Sequence, residues 1–366
     1  MSNEEYNLDR QTDRQTDRQT DRQTDRQTDR QTDRYYHSVD FIKGICILFV
    51  VITHYNWNNT ERLKYLFPFW IEMAVPFFMI ISGFVYANSY VKHNIETFEN
   101  AYEMKAVLNK VIRYTFPFII VFGVQEMILY IDGSAELNIL QMVYSFFRGG
   151  FGPGSYYYPV MMQFIFYFPI LFFIIKKYDF KGLVICGFIN FIYEILKSVY
   201  GMNEECYRFL LFRYTLVIAF GCYLAIGNFK KHIKLSVLSM LIGIIYIVLF
   251  RYLGLKPLIS NYWTKTCFWA CLYMIPLSGY IINSEIKNGI IELLGRASYN
   301  IFLVQMIYYN SAAWFLYSIV DNRILQLLLN IIICIFAGII FYYIETPITK
   351  CLINRINIVV EKMGKE

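Results

Sequence analysis

Long apolar runs separated by short polar stretches recur along the chain from residue 41 to residue 345. About 20 consecutive apolar residues are needed for one α-helix to cross the hydrocarbon core of a bilayer. The pattern predicts an all-α polytopic membrane protein with about ten transmembrane helices. The predicted helices cover residues 41–58, 66–90, 111–131, 156–176, 181–200, 208–228, 235–253, 266–283, 297–319 and 324–345.

Polar tails flank this apolar region. Residues 1–40 contain six tandem copies of Gln-Thr-Asp-Arg, from Gln11 to Arg34. Because the repeat has no apolar face, this tail is predicted to be disordered. Residues 41–350 are predicted to form one transmembrane domain, and residues 351–366 a short C-terminal tail. A glycine-rich stretch at 149–154, ahead of the fourth predicted span, is expected to be flexible.

The repeat has a genetic interpretation as well. A four-residue repeat is what a tetranucleotide tract encodes when it is read through all three frames. Slippage in such a tract would shift the reading frame, so we hypothesise that expression is phase-variable. The alternative is an inert repeat that expanded recently.

Composition excludes a soluble protein. The chain is 57% hydrophobic and only 17% charged, whereas soluble domains carry about 25% charged residues. The net charge of +6 comes mainly from Lys and Arg in loops and tails, which indicates membrane topology rather than a nucleic-acid partner. Ten spans place both termini on one side, and the basic tails favour the cytoplasm.

One histidine stands out because it lies inside a predicted span. His54 is in the first span, whereas His37, His93 and His232 are in the tail or in loops. An ionisable group within a membrane helix is a functional candidate. Lys43 precedes His54 by eleven residues, which is about three helical turns, so both side chains share one face roughly 16 Å apart.

This face would suit a long anionic donor such as a coenzyme thioester. Lys43 would hold a phosphate, and His54 would take a proton from an attacking hydroxyl. The alternative is a structural histidine and a lysine that snorkels to the interface. Spacing alone leaves both interpretations open.

Two carboxylates in predicted spans are candidate partners of the imidazole. Glu72 and Glu126 could orient His54 and stabilise its charged form. Alternatively, each is paired with an arginine, for which Arg213 is a candidate, or with a backbone donor. The eight cysteines show no CxxC pair and no Cys/His ligand spacing, so they are interpreted as small apolar side chains and no metal site is predicted.

Five sequence blocks occur in order between residues 41 and 347. They are Lys43 with His54, Pro76–Phe84 including Ser82, Lys110–Pro117 including Arg113, Leu294–Leu303, and Ile344–Pro347. With these blocks the chain resembles the acyltransferase 3 family of integral-membrane enzymes, which O-acylate sugars of bacterial envelopes. The family has a basic residue, ten residues and then histidine in its first span, followed by "FFxxSGF", a basic run, "LGxxSYxIYL" and "IExP" blocks.

The resemblance implies that residues 41–350 form a transmembrane acyltransferase domain in the bacterial inner membrane. His54 would be catalytic, Lys43 and Arg113 would bind the donor, and Ser82 would be a supporting candidate. Glu72 and Glu126 are further supporting candidates from their positions in predicted spans. The donor would be acetyl-coenzyme A, used as a substrate, with no permanently bound cofactor. The acceptor would be a hydroxyl of an envelope saccharide (lipopolysaccharide, O-antigen or capsule) or of its lipid-linked precursor.

The chain departs from the family pattern at two places. The family often has histidine where this chain has Gln305, so no role for a second histidine can be carried over. Tyr156, Tyr157 and Tyr158 stand where the family often has tryptophan. A second functional class, a transporter or flippase of lipid-linked saccharides, shares the proline-interrupted spans that line cavities.

Overall fold

The computed structural model of the chain describes residues 36–133, 138–227, 229–255, 267–284 and 286–363. The predicted disordered repeats lie outside these residues. Within the described ranges the secondary structure is helical and contains no strand, which confirms the all-α class.

The described residues form seventeen α-helices, which we number in chain order. They are α1 His37–Thr53, α2 Asn59–Lys64, α3 Ala74–Lys92, α4 Phe98–Ala101, α5 Met104–Ile131, α6 Ile139–Phe147, α7 Tyr157–Tyr178, α8 Phe180–Tyr200, α9 Glu204–Phe209, α10 Thr215–Ile226, α11 Ile233–Ile247, α12 Phe268–Cys271, α13 Met274–Ile282, α14 Gly289–Arg296, α15 Ser298–Ile307, α16 Ala313–Ile319 and α17 Arg323–Met363. Short 3-10 segments and two π-helical segments join several of them.

The helix lengths confirm a polytopic membrane protein. Among the residues that the structure describes, six helical segments are long and apolar enough to cross a bilayer. The count is seven if the segments Gly289–Arg296 and Ser298–Ile319, which meet at 64°, form one broken span. The other predicted spans coincide with shorter apolar helices, namely α1, Leu211–Ile226 and Phe268–Ile282. The total of ten therefore stays a prediction.

Both ends of the apolar region are more helical than the sequence pattern indicated. α1 begins at His37, where the Ser38 hydroxyl donates to the Ile282 carbonyl at 2.9 Å. At the other end, α17 continues to Met363 through residues predicted as a tail. Glu361 on this extension lies 2.5 Å from the Lys105 ammonium group on α5. The extra turns of α17 therefore contact another helix.

α1 occupies a central place and packs against α3, α14 and α15. Two glycines let the backbones of α1 and α14 touch. A Cβ atom on Gly44 would lie 2.1 Å from the Ile291 carbonyl oxygen, and one on Gly295 would lie 1.9 Å from that of Asp40. Small residues of this kind allow close helix packing in membranes. The helix that carries Lys43 and ends just before His54 therefore packs closely against α14.

Candidate active site

A cavity of about 550 Å³ lies between α1, α3, α5, α7, α14, α15 and α17. Three of the predicted site residues, Lys43, Ser82 and Arg113, line it together. Since they come from three different helices, the fold brings together what the sequence blocks list separately.

The cavity wall carries an excess of positive charge. The Lys43 ammonium group lies 3.3 Å from an Asp40 carboxylate oxygen, and Glu345 accepts a hydrogen bond from Asn300 at 2.9 Å. These two acids face more numerous cations. The basic lining residues are Lys43, Lys110, Arg113, Arg296 and Lys350. A cluster of this composition suits phosphate groups.

His54 lies just beyond the C-terminal end of α1 and is half-buried. Its Nδ1 atom lies 2.8 Å from Oε1 of Gln305, a fully buried side chain on α15. The Gln305 amide nitrogen donates to the Pro153 carbonyl at 3.2 Å. The Tyr309 ring approaches the imidazole edge-on, with ring centroids 6.0 Å apart.

These contacts assign the tautomer of His54. The Pro153 carbonyl can only accept, so the nitrogen of the Gln305 amide faces it and the amide oxygen faces His54. Nδ1 of His54 must then carry the proton and donate it. The Nε2 atom of neutral His54 is consequently left with a lone pair and can act as a base.

The glycine-rich stretch packs against this histidine. Gly154 has a φ of +89°, and a Cβ atom there would lie 2.8 Å from the Phe302 ring and 3.8 Å from Cε1 of His54. Phe302 also lines the cavity. Gly154 therefore lies next to both Phe302, which lines the cavity, and His54, which is not among the described lining residues.

A second buried amide holds the same stretch in place. The Gln125 side chain donates to the Phe151 carbonyl at 2.8 Å and accepts from the Phe151 amide at 3.2 Å. The expected flexible segment is therefore fixed on both sides of Gly152, by Gln125 and by Gln305.

The two carboxylates have different surroundings. Glu72 is buried and pairs with Arg62 at 3.2 Å, and Arg62 also donates to the Thr53 carbonyl at 2.9 Å. Glu72 is therefore paired with an arginine, as one of the two interpretations expected. The same arginine contacts Thr53, the residue before His54. Glu126 is half-buried and makes no hydrogen bond or ion pair with a described residue.

Arg213, considered as a partner of these carboxylates, is buried elsewhere. Its guanidinium lies over the rings of Tyr207 and Tyr214, at 4.7 and 4.6 Å from their centroids. The side chain hydrogen-bonded to Nδ1 of His54 is the neutral amide of Gln305. In the part of the chain that the structure describes, no three His, Cys, Asp or Glu side chains form a metal-binding group.

The family model described as an acyltransferase domain, acyltransferase 3, matches residues 36–344. The chain belongs to the acyltransferase 3 family. The match includes Lys43, His54, Arg113 and Gln305, and it identifies the protein as a membrane O-acyltransferase that transfers groups other than amino-acyl groups. No curated protein and no solved structure matches the chain.

Among the side chains around His54, sequence reasoning missed Gln305, Gln125 and Arg62. Gln305 lies just after the Leu294–Leu303 block of the acyltransferase 3 family, at the position where the family often has histidine. A polar residue within an apolar predicted span was the sequence feature that could have indicated Gln305 as a site residue. Its partner is 251 residues away in the chain, a separation that no local pattern connects.

Proposed function

We propose that this acyltransferase transfers an acetyl group from acetyl-coenzyme A to a hydroxyl of a bacterial envelope saccharide, such as lipopolysaccharide, O-antigen or capsule. The observation that carries the proposal is the oriented imidazole of His54 beside a cavity lined by Lys43 and Arg113. Transfer from a coenzyme thioester needs a base for the attacking hydroxyl and a cationic surface that binds the phosphates of the coenzyme.

The donor would lie along the cavity. Lys43 and Arg113 hold its phosphates. The thin part of the donor that carries the acetyl group passes the aromatic side chains of Tyr157, Tyr299 and Phe302, which line the same cavity. Lys43 lies ten residues before Thr53, the last residue of α1, which is roughly 15 Å along the axis, and His54 follows directly. An extended donor spans that distance and brings its thioester to the imidazole.

The reaction at His54 is acyl transfer with general base catalysis. Nε2 takes the proton of the acceptor hydroxyl as the oxygen attacks the thioester carbonyl. The carbon–sulfur bond then breaks, and the imidazolium returns the proton to the leaving thiolate, which gives an ester and free coenzyme A. Proton transfer by a positioned histidine accelerates such steps by about 10²- to 10⁴-fold.

The proposed setting is the bacterial inner membrane with both termini in the cytoplasm. The cationic cavity then opens towards cytoplasmic coenzyme, and the acceptor glycan, free or lipid-linked, reaches His54 from the other side. Slippage in the repeat would make the modification phase-variable. The transporter or flippase alternative shares the cavity and the proline-interrupted spans, but the family match is to an acyltransferase domain and favours acyl transfer.

The test is mass spectrometry of envelope glycans from four strains: wild type, gene deletion, His54→Ala and His93→Ala. His93 is exposed and lies after the end of α3, so its replacement is the matched control. The proposal predicts acetyl esters in the wild type and in His93→Ala, and none in the other two. Identical glycans in all four strains would refute it.

A further inference from the structure

A second pocket lies at the opposite end of α1 from Lys43. It has a volume of about 410 Å³ and is lined by Tyr55, Asn56, Asn58, Tyr317, Arg323 and Gln326. Tyr55 and Asn56 directly follow His54 in the chain. Because consecutive Cα atoms are about 3.8 Å apart, the Asn56 Cα lies within about 7.6 Å of the His54 Cα.

Some lining groups are already fixed by the protein. The Tyr55 hydroxyl donates to Oε1 of Gln326 at 2.7 Å, and the Gln326 amide donates to the Val320 carbonyl at 2.5 Å. Tyr55 and Gln326 thus form a rigid wall. A rigid polar wall lowers the entropy lost when a ligand binds.

Other groups remain available to a ligand. The exposed Asn56 side chain makes no hydrogen bond with a described residue. The Tyr317 hydroxyl accepts from the Asn330 amide at 3.1 Å and retains its own proton for donation. An amide and a hydroxyl both donate and accept, which is what the hydroxyl groups of a sugar require.

The charge of the pocket disfavours an anion. Arg323 is the only charged residue among the described residues that line it, and two of the Arg323 nitrogens donate to Glu61 at 2.5 and 3.1 Å. Since the carboxylate offsets the guanidinium, a phosphate headgroup gains little there. An uncharged polyhydroxyl ligand fits this electrostatic setting better.

We propose that this pocket binds sugar residues of the acceptor glycan that flank the acylated one. The assignment deepens the proposed function and rests on it. Asn56 and Tyr317 hydrogen-bond sugar hydroxyls, and the short segment from His54 to Asn56 sets the acceptor hydroxyl beside the base. The donor and the acceptor therefore enter from opposite ends of α1.

The test measures binding separately from chemistry. The probe is soluble polysaccharide released from cells that lack the gene, added without donor to the full-length protein in lipid nanodiscs. Asn56→Ala and Tyr317→Phe each remove one hydrogen bond to the polysaccharide, and Tyr317→Phe also removes the acceptor for the Asn330 amide; each should raise the polysaccharide Kd about 2- to 10-fold. Asn59→Ala, an exposed change on α2 outside the pocket, should leave the Kd unchanged.

The outcomes distinguish the two proposals. Weaker binding in Asn56→Ala and Tyr317→Phe with an unchanged donor KM supports the pocket. If those variants bind as the wild type does, or if anionic phospholipid displaces the polysaccharide, the pocket assignment is wrong. Specific binding without acetyl transfer by the wild type would support the pocket and refute the proposed reaction.

Discussion

The Nδ1 atom of His54 lies 2.8 Å from the amide oxygen of Gln305, a contact that joins the end of α1 to the last turn of α15. A neutral amide in this position fixes the ring and the tautomer. It adds no negative charge, so in the proposed reaction the imidazolium would be less stabilised than beside a carboxylate. His54 would then return its proton readily.

Gln305 variants test this relationship. Gln305→Leu removes the acceptor for the Nδ1 proton, so kcat should fall about 10²-fold while the donor KM changes little. Gln305→Glu keeps an acceptor but stabilises the imidazolium, which should move the acidic limb of the pH–rate profile to higher pH. Steady-state kinetics across pH with both variants measures these effects. Equal rates and superimposable profiles would show that Gln305 has no positioning role.

Gly154 should be intolerant of any side chain. Gly154→Ala places a Cβ atom 2.8 Å from the Phe302 ring at a φ of +89°, so the ring must shift beside His54. A displacement of about 1 Å near the reacting groups can lower kcat about 10²-fold.

The matched control is Gly201→Ala, at a φ of +59° with open space around its Cβ position. Both changes impose backbone strain of about 1 kcal/mol or more. Thermal melting should therefore show a loss of stability in each, and only Gly154→Ala should lose activity. Full activity in Gly154→Ala would contradict the packing described here.

Lys43 and Arg113 should act on the donor. Replacing either with alanine removes a cation from the cavity wall, and the donor KM should rise about 10-fold because a charge-assisted hydrogen bond is lost. Initial rates at varied acetyl-coenzyme A measure the change. Lys181→Ala, an exposed lysine on α8 outside the cavity, is the control, and a donor KM raised equally there would argue against a specific site.

The ion pair beside the second pocket should give stability a pH dependence. A hydrogen bond from Arg323 lowers the pKa of Glu61, with a further contribution from the Asn58 backbone amide. A carboxyl pKa that is lower in the folded state stabilises the protein at pH values above the pKa of the unfolded state, which is about 4.3. This stabilisation is lost as the pH falls through the lower pKa of the folded state. Glu61→Gln should therefore have a lower Tm than the wild type at neutral pH.

The difference in Tm should close under acid conditions, where Glu61 is protonated in both states of the wild type. Glu96→Gln, which changes an exposed carboxylate without an ion pair to a described residue, serves as the control. A gap between wild type and Glu61→Gln that stays constant from about pH 3 to 7 would rule out this linkage.

The apolar pattern predicted the helical membrane fold because length and hydropathy suffice to identify long spans. It was less informative for Phe268–Ile282, a shorter apolar segment broken between α12 and α13. Pattern length cannot tell such a segment from a full span. The helical residues His37–Asp40 and those after Lys350 were assigned to polar tails, because contacts with distant helices are invisible in local composition.

The candidate site was predictable from the sequence only in part. Lys43, Ser82 and Arg113 came from family blocks, and the fold places them in one cavity. Gln305 was not predicted as a partner, since a hydrogen bond depends on how helices are arranged rather than on spacing within one helix. The glycine-rich stretch 149–154 was expected to be flexible, and the packing of Gly154 against Phe302 and His54 follows only from the tertiary structure.

Transfer of labelled acetyl by the purified protein tests the central claim most directly. Wild type, His54→Ala and His93→Ala in nanodiscs are given acetyl-coenzyme A labelled in the acetyl group, together with polysaccharide from cells lacking the gene. We predict that label enters the polysaccharide as an alkali-labile ester with the wild type and His93→Ala, and that His54→Ala, folded by thermal melting, reduces the rate about 10²-fold or more. Transfer by His54→Ala at the wild-type rate would contradict the account.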